Sequence, residues 1–172
     1  NVGLDSNPRD LTVVGSTLYF VAYDGFHGTE LWGFDQDYSP FVSLMPNRIL
    51  DTRSGDKLGT LAAAGGAAPY ELQVTGVGGV PVSGVSAVSL NVTVTQPDGA
   101  GYVTVYPCGT VPDASNLNFR AGVSVPNLVV APVSADGKVC FYASAETHLL
   151  ADVSGWFETG SGFTSLTPAR VF

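Results

Sequence analysis

The stretch 87-AVSLNVTVT-95 alternates apolar and polar residues and indicates the fold class of the chain. Side chains two residues apart share one face of a β-strand, so alternation predicts a strand with one buried face and one solvated face. The apolar face is formed by Val88, Leu90, Val92 and Val94. A half-buried strand therefore lies near the middle of the sequence.

Further strands are predicted on both sides of this stretch, at residues 101–106, 128–133, 138–143 and 147–157. Asp98-Gly99 and Asp136-Gly137 separate neighbouring strands, and Asp-Gly is typical of hairpin turns with two positive φ angles. The fold class that follows is all-β: an antiparallel β-sandwich, of which a jelly roll is one form, with a small N-terminal β-hairpin segment. The predicted core consists of Val88, Leu90, Val92, Val94, Val103, Val105, Val139, Phe141 and Val153.

Composition supports short strands and argues against nucleic acid as a partner. The 172 residues include 21 Gly and 11 Pro, with 45% hydrophobic and only 13% charged residues, which favours strands and tight turns over charged helices. The formal net charge is −8, so a phosphate backbone would be repelled. No apolar run approaches the ~20 residues that a membrane-spanning helix requires.

Residues 1–40 differ from the rest of the chain and form a separate β segment. Predicted strands at 11–14 and 17–23 flank Gly15-Ser16, and a third strand follows at 30–34. With the run Glu30-Leu31-Trp32, this segment resembles one unit of the ELW repeats of large secreted bacterial proteins. Its five aspartates are interpreted as turn and cap residues rather than as calcium ligands.

The two ends of the remaining sequence match each other. The run 41-FVSLMPNRIL-50 aligns with 163-FTSLTPARVF-172 at an offset of 122 residues. A period of this length is the size of a whole domain, which predicts a tandem array of domains. Residues 41–160 are thus the β-sandwich module, and residues 161–172 are the start of the next repeat or a linker.

The module also resembles a unit that recurs in secreted actinobacterial proteins. The resemblance rests on an opening P-x-R-x-L-D-T-R box at residues 46–53 and on the closing run 152-DVSGWF-157. The resemblance implies an accessory or repeated part of an exported protein and supplies no enzymatic activity to carry over. Extracellular or cell-surface localisation is the corresponding expectation.

Two sets of residues are candidates for holding the module together. Cys108 and Cys140 are the only cysteines, and we predict one disulfide that joins two hairpins, the alternative being two buried free thiols. Arginine forms bidentate pairs with carboxylates, which suggests a structural clasp, or alternatively a ligand contact. The clasp residues are Arg48, Asp51, Arg53 and Asp152.

Catalytic and metal-binding patterns are lacking in the sequence. His27 and His148 are the only histidines, and no ligand spacing for zinc surrounds them. Ser86 and Ser124 each lack the final glycine of a G-x-S-x-G elbow. We therefore expect that the chain is not an enzyme and that it binds neither a metal nor a cofactor.

Two functions remain open. The first is a structural or adhesive module whose partners are neighbouring copies or adjacent repeats, with a tail that packs head to tail and leads to a filament; the tail residues are Phe163, Leu166, Pro168, Arg170 and Phe172. The alternative is a lectin-like, carbohydrate-binding accessory module of a secreted hydrolase. Its stacking residues would be Trp32, Tyr70 and Tyr102, with Tyr23 and Trp156 as further candidates.

Overall fold

The computed structural model describes residues 6–15, 17–35, 41–59, 68–160, 163, 164 and 166. Within these residues the chain is all-β, which confirms the predicted fold class. The chain divides into two compact units, Asn1–Ser39 and Pro40–Phe172.

The first unit is one antiparallel sheet with the strand order β1-β2-β3. Its strands are β1 (Arg9–Val14), β2 (Thr17–Tyr23) and β3 (Thr29–Asp35). Gly15 has a φ of +63° where the chain leaves β1, a conformation that glycine adopts without steric cost. Ala22 is buried, whereas Leu31 is 70% exposed and Phe34 is 60% exposed. Three strands thus bury little apolar surface by themselves.

The second unit is a sandwich of two four-stranded antiparallel sheets. Its strands are β4 (Phe41–Asp51), β5 (Tyr70–Gln73), β6 (Val85–Thr95), β7 (Gly101–Pro107), β8 (Leu117–Phe119), β9 (Val125–Pro132), β10 (Lys138–Ala143) and β11 (His148–Glu158). One sheet has the order β5-β10-β7-β8, here called the β5 sheet, and the other has the order β4-β11-β6-β9, here called the β4 sheet. This interleaved order of eight strands is that of a jelly roll.

The core lies between the two sheets and contains every residue that the alternation predicts. All nine predicted core side chains are at most 2% exposed. They form one hydrophobic cluster with Leu72, Val74, Leu117 and Leu149. Burial of this apolar surface is the main favourable term in the stability of such a sandwich.

The prediction of hairpins at Asp98-Gly99 and Asp136-Gly137 is wrong. β6 lies in the β4 sheet and β7 in the β5 sheet, and β9 and β10 are divided in the same way. The Asp-Gly turns therefore carry the chain from one sheet to the other. Of their four residues only Gly137 has a positive φ, of +76°. Turn residues specify where the chain reverses, but not which strands pair afterwards.

Candidate interaction surface

The predicted clasp lies on the outer face of the β4 sheet. Asp152 stands between the buried Ala151 and Val153 of β11, so its side chain points away from the core. Arg48 is its register partner on β4, although Leu50 pairs with Ala151; the extra residue, Ile49, forms a bulge. Bulges re-aim side chains, and this one puts Arg48 opposite Asp152.

The four clasp residues form one continuous network of ion pairs. Arg48 binds Asp152 through Nε and through Nη2, the latter at 3.1 Å from Oδ2. Its Nη1 also lies 3.5 Å from Oδ2 of Asp51. Arg53 donates to Asp51 through Nε and Nη2, at 2.9 and 2.7 Å, and through its backbone N–H at 3.0 Å. Positive and negative groups therefore alternate from Arg53 to Asp152.

This pairing stabilises the charged forms of its members. Hydrogen bonds from the side chain and the backbone of Arg53 hold the pKa of Asp51 well below its usual range. The hydrogen bond to Asp152 raises the pKa of Arg48. All four side chains keep 22–49% of their surface exposed, so water and salt screen the network and its contribution to stability is small.

Three phenylalanines cluster at the other end of the same face. The ring of Phe157 lies 5.1 Å from that of Phe41, tilted by 54°, and 4.2 Å from that of Phe163, nearly parallel at 22°. A second bulge, between Val153 and Gly155, brings Gly155 to this face. A Cβ atom on Gly155 would lie 2.2 Å from Cζ of Phe41, so the Phe41 ring is seated directly on the backbone of β11.

The β9 edge of this face is apolar. Leu128 pairs with Asn91, Val130 pairs with Ser89, and the two side chains are 63% and 43% exposed. The strand contains Pro126 and Pro132, and proline on an edge strand discourages pairing with another chain. The edge therefore offers apolar side chains, and two of its backbone positions lack an N–H donor.

Cys108 and Cys140 form the predicted disulfide. Cys140 lies in β10, and Cys108 follows the end of β7, the neighbouring strand. The expectation that the bridge joins two hairpins is wrong, because β10 and the strand that precedes Cys108 are paired neighbours in one sheet. The bond closes a loop with a sequence separation of 32 residues.

Within the second unit, the candidate stacking residues Tyr70 and Tyr102 do not lie on the same face of the β5 sheet. Trp32 belongs to the first unit. Tyr70 pairs with the core residue Phe141, whereas Tyr102, two-fifths exposed, lies on the outer face of the β5 sheet. There its ring is 5.8 Å from that of Tyr142. Sequence reasoning missed Tyr142, because nothing in its local pattern marks the strand to which β7 pairs.

Each of the two histidines contacts a polar side chain. The carboxylate of Asp24 accepts bonds from the backbone of Phe26 and His27, and its Oδ2 is 2.8 Å from Nδ1 of His27. These bonds, chiefly those from His27, lower the pKa of Asp24 to about 2. His148 is buried, with Nδ1 3.0 Å from the Thr52 hydroxyl.

Of the predicted tail residues, Phe163 and Leu166 can be placed. Phe163 joins the aromatic cluster, and Leu166 is 79% exposed. Pro168, Arg170 and Phe172 lie outside the described residues. Sequence reasoning did not nominate Phe41, Gly155 or Phe157, although the recurrence of Phe41 as Phe163 was a usable signal.

No protein-family model matches the sequence, and no curated protein is similar enough to be a relative. Among the described residues, no group of three or more His, Cys, Asp and Glu side chains is arranged to hold a metal ion. The same residues contain no helix long and apolar enough to cross a membrane.

Proposed function

We propose that this chain is a non-catalytic structural or adhesive module of a repetitive bacterial extracellular or cell-surface protein. The observation that carries the proposal is the mutual pairing of the clasp. Arg48, Asp51, Arg53 and Asp152 direct their charged groups at one another. A site built to bind a charged ligand keeps such groups available, whereas a clasp uses them to fix two strands. The domain-length match between residues 41–50 and 163–172 supports repetition.

The experiment locates the protein and determines its redox state. An antibody against the full chain is applied to intact cells and to culture medium of the producing bacterium, and thiols are counted on the isolated protein. Surface or medium labelling with no free thiol is the expected result. Protein confined to the cell interior with two free thiols would contradict the proposal.

A carbohydrate-binding role is the second candidate, and the observation that favours it is the contact between the exposed Tyr102 and the half-buried Tyr142. Two neighbouring tyrosines on an outer sheet face offer both ring surface and hydroxyl groups. A glycan array of plant, fungal and bacterial cell-wall sugars separates the two functions. Binding that disappears in Tyr102→Ala but survives in Tyr23→Ala would favour the carbohydrate-binding role over the structural one. An array without hits would support the structural proposal.

Head-to-tail association between separate chains stays a prediction. Phe163 packs on Phe157 of its own chain, so association would require other tail residues or exchange of this contact. Light scattering of the full chain and of a chain shortened by residues 161–172 tests it. Monomers in both samples at high concentration would exclude a filament formed through the tail.

A further inference from the structure

The aromatic cluster contains two phenylalanines that occupy equivalent positions in the repeat. Phe163 lies 122 residues after Phe41, at the first position of the matching segment. Both rings contact Phe157, one tilted and one stacked. Phe157 thus binds the opening phenylalanine of its own module and, beside it, the residue at which a following copy begins.

The chain that follows Phe157 is held by hydrogen bonds as far as Thr159. The Ser86 hydroxyl donates to the carbonyl of Phe157 at 3.1 Å, and the N–H of Thr159 donates to the carbonyl of Gly84 at 2.8 Å. Gly160 then has a φ of +82°, which turns the chain at a residue without a side chain. Two residues separate Gly160 from Phe163 in the sequence.

We propose that one phenylalanine ring is shared by each pair of consecutive modules and fixes their relative orientation. The ring of Phe163 stacks on Phe157 of the module that it follows. Because Phe163 is equivalent to Phe41, the same ring makes the tilted contact with the residue equivalent to Phe157 in the module that it opens. The partner of this surface is therefore the next copy in the same chain. The inference rests on the proposed tandem function.

The seat for such a ring is part of the fold. Gly155 leaves room for the ring of Phe41, because any Cβ there would overlap Cζ and Cε2, at 2.2 and 2.5 Å. In a tandem array each opening ring would occupy this seat and also contact the preceding module. Aromatic contacts within a module and aromatic contacts between modules would then alternate along the array.

The first test uses the full chain and compares Phe163→Ala with Leu166→Ala, a tail residue that is 79% exposed. Loss of the stack should lower Tm by about 2 to 5 °C and shift the ring-proton resonances of Phe157 and Phe41. Leu166→Ala should change neither. Identical Tm values and resonances in Phe163→Ala and the parent chain would show that the stack does not form.

The second test uses a two-copy chain, in which residues 51–160 are added after Phe172. Small-angle scattering should give one narrow distribution of distances between modules, broadened by Phe163→Ala. Phe163→Leu keeps apolar volume without a ring, so a broadened profile in a fully folded Phe163→Leu chain excludes unfolding as the cause. An equally broad distribution in the parent and both variants would overturn the shared ring.

The two proposals can fail separately. A broad distance distribution in the two-copy chain, together with surface labelling of the natural protein, would exclude the shared ring and leave the structural function. A narrow distance distribution that broadens in the Phe163 variants, together with tyrosine-dependent glycan binding, would support the shared ring and exclude the structural function.

Discussion

Arg48 on β4 and Asp152 on β11 face each other as register partners on the outer face of the β4 sheet, joined by two hydrogen bonds. The pair depends on the bulge at Ile49, without which strand alternation would put Arg48 on the other face. The contact therefore depends on the register of the two strands as well as on charge.

Arg48→Lys should weaken this contact, because an ammonium group cannot reproduce the planar fork of a guanidinium. The pair is partly exposed, so we expect a loss of about 0.2 to 1 kcal/mol in the free energy of unfolding. Urea titrations at low and high salt measure it, and the difference should shrink at high salt. Arg120→Lys is the exposed control. A loss that is equal at both salt concentrations would argue against an electrostatic origin.

Acid should remove the contribution of Asp51. Its pKa is lower in the folded chain than in the unfolded one, so it adds stability above the unfolded pKa of ~3.9. That contribution declines as the pH falls below about 4 toward the folded pKa. Unfolding free energies of the parent chain and Asp51→Asn, measured from pH 7 to pH 2, should therefore converge at low pH. A constant gap across this range would exclude titration of Asp51 as the cause.

Leu90→Ala should destabilise the sandwich strongly. The side chain is 0% exposed in the core cluster, and truncation of a buried leucine costs about 2 to 5 kcal/mol. Leu128→Ala on β9 is the matched control, since that side chain is 63% exposed and surface changes usually stay within about 0.5 kcal/mol. Chemical denaturation of both variants provides the comparison. Equal midpoints would contradict the assignment of the two faces.

Removal of the disulfide should lower stability while leaving the strand order intact. In the chain-entropy model, closing a loop of this length contributes about 3 to 4 kcal/mol. Cys108→Ser with Cys140→Ser, compared with the parent chain under oxidising conditions, measures the effect. Both proteins should have the same denaturation midpoint after reduction. A midpoint that does not respond to reduction in the parent chain would mean that the bridge adds nothing.

Gly155→Ala should disturb the aromatic cluster. Its Cβ would lie 2.2 Å from the Phe41 ring and 2.7 Å from the carbonyl oxygen of Val42, and such overpacking costs about 1 to 3 kcal/mol. Gly99→Ala is the control, because the nearest atom to its Cβ would be 3.9 Å away. Thermal unfolding together with the resonances of Phe41 tests the prediction. Equal Tm values for the two variants would place the Phe41 ring elsewhere.

The sequence by itself determined the class of fold and nine of the buried core side chains. Alternation at Val88, Leu90, Val92 and Val94 is a local property of one strand, and it specifies which side chains are buried whatever that strand pairs with. The two cysteines likewise allowed only one intramolecular bridge. Arginines within reach of Asp51 could be identified by their spacing alone.

Only the tertiary structure decided which strands are neighbours. The Asp-Gly turns are local signals, whereas the jelly-roll order arises from pairing between strands distant in sequence, such as β4 with β11. Two bulges then shifted the alternation by one residue and placed Arg48 and Gly155 on the outer face. Because a shift of one residue exchanges the two faces of a strand, the clasp and the phenylalanine seat depend on backbone geometry that the residue pattern does not specify.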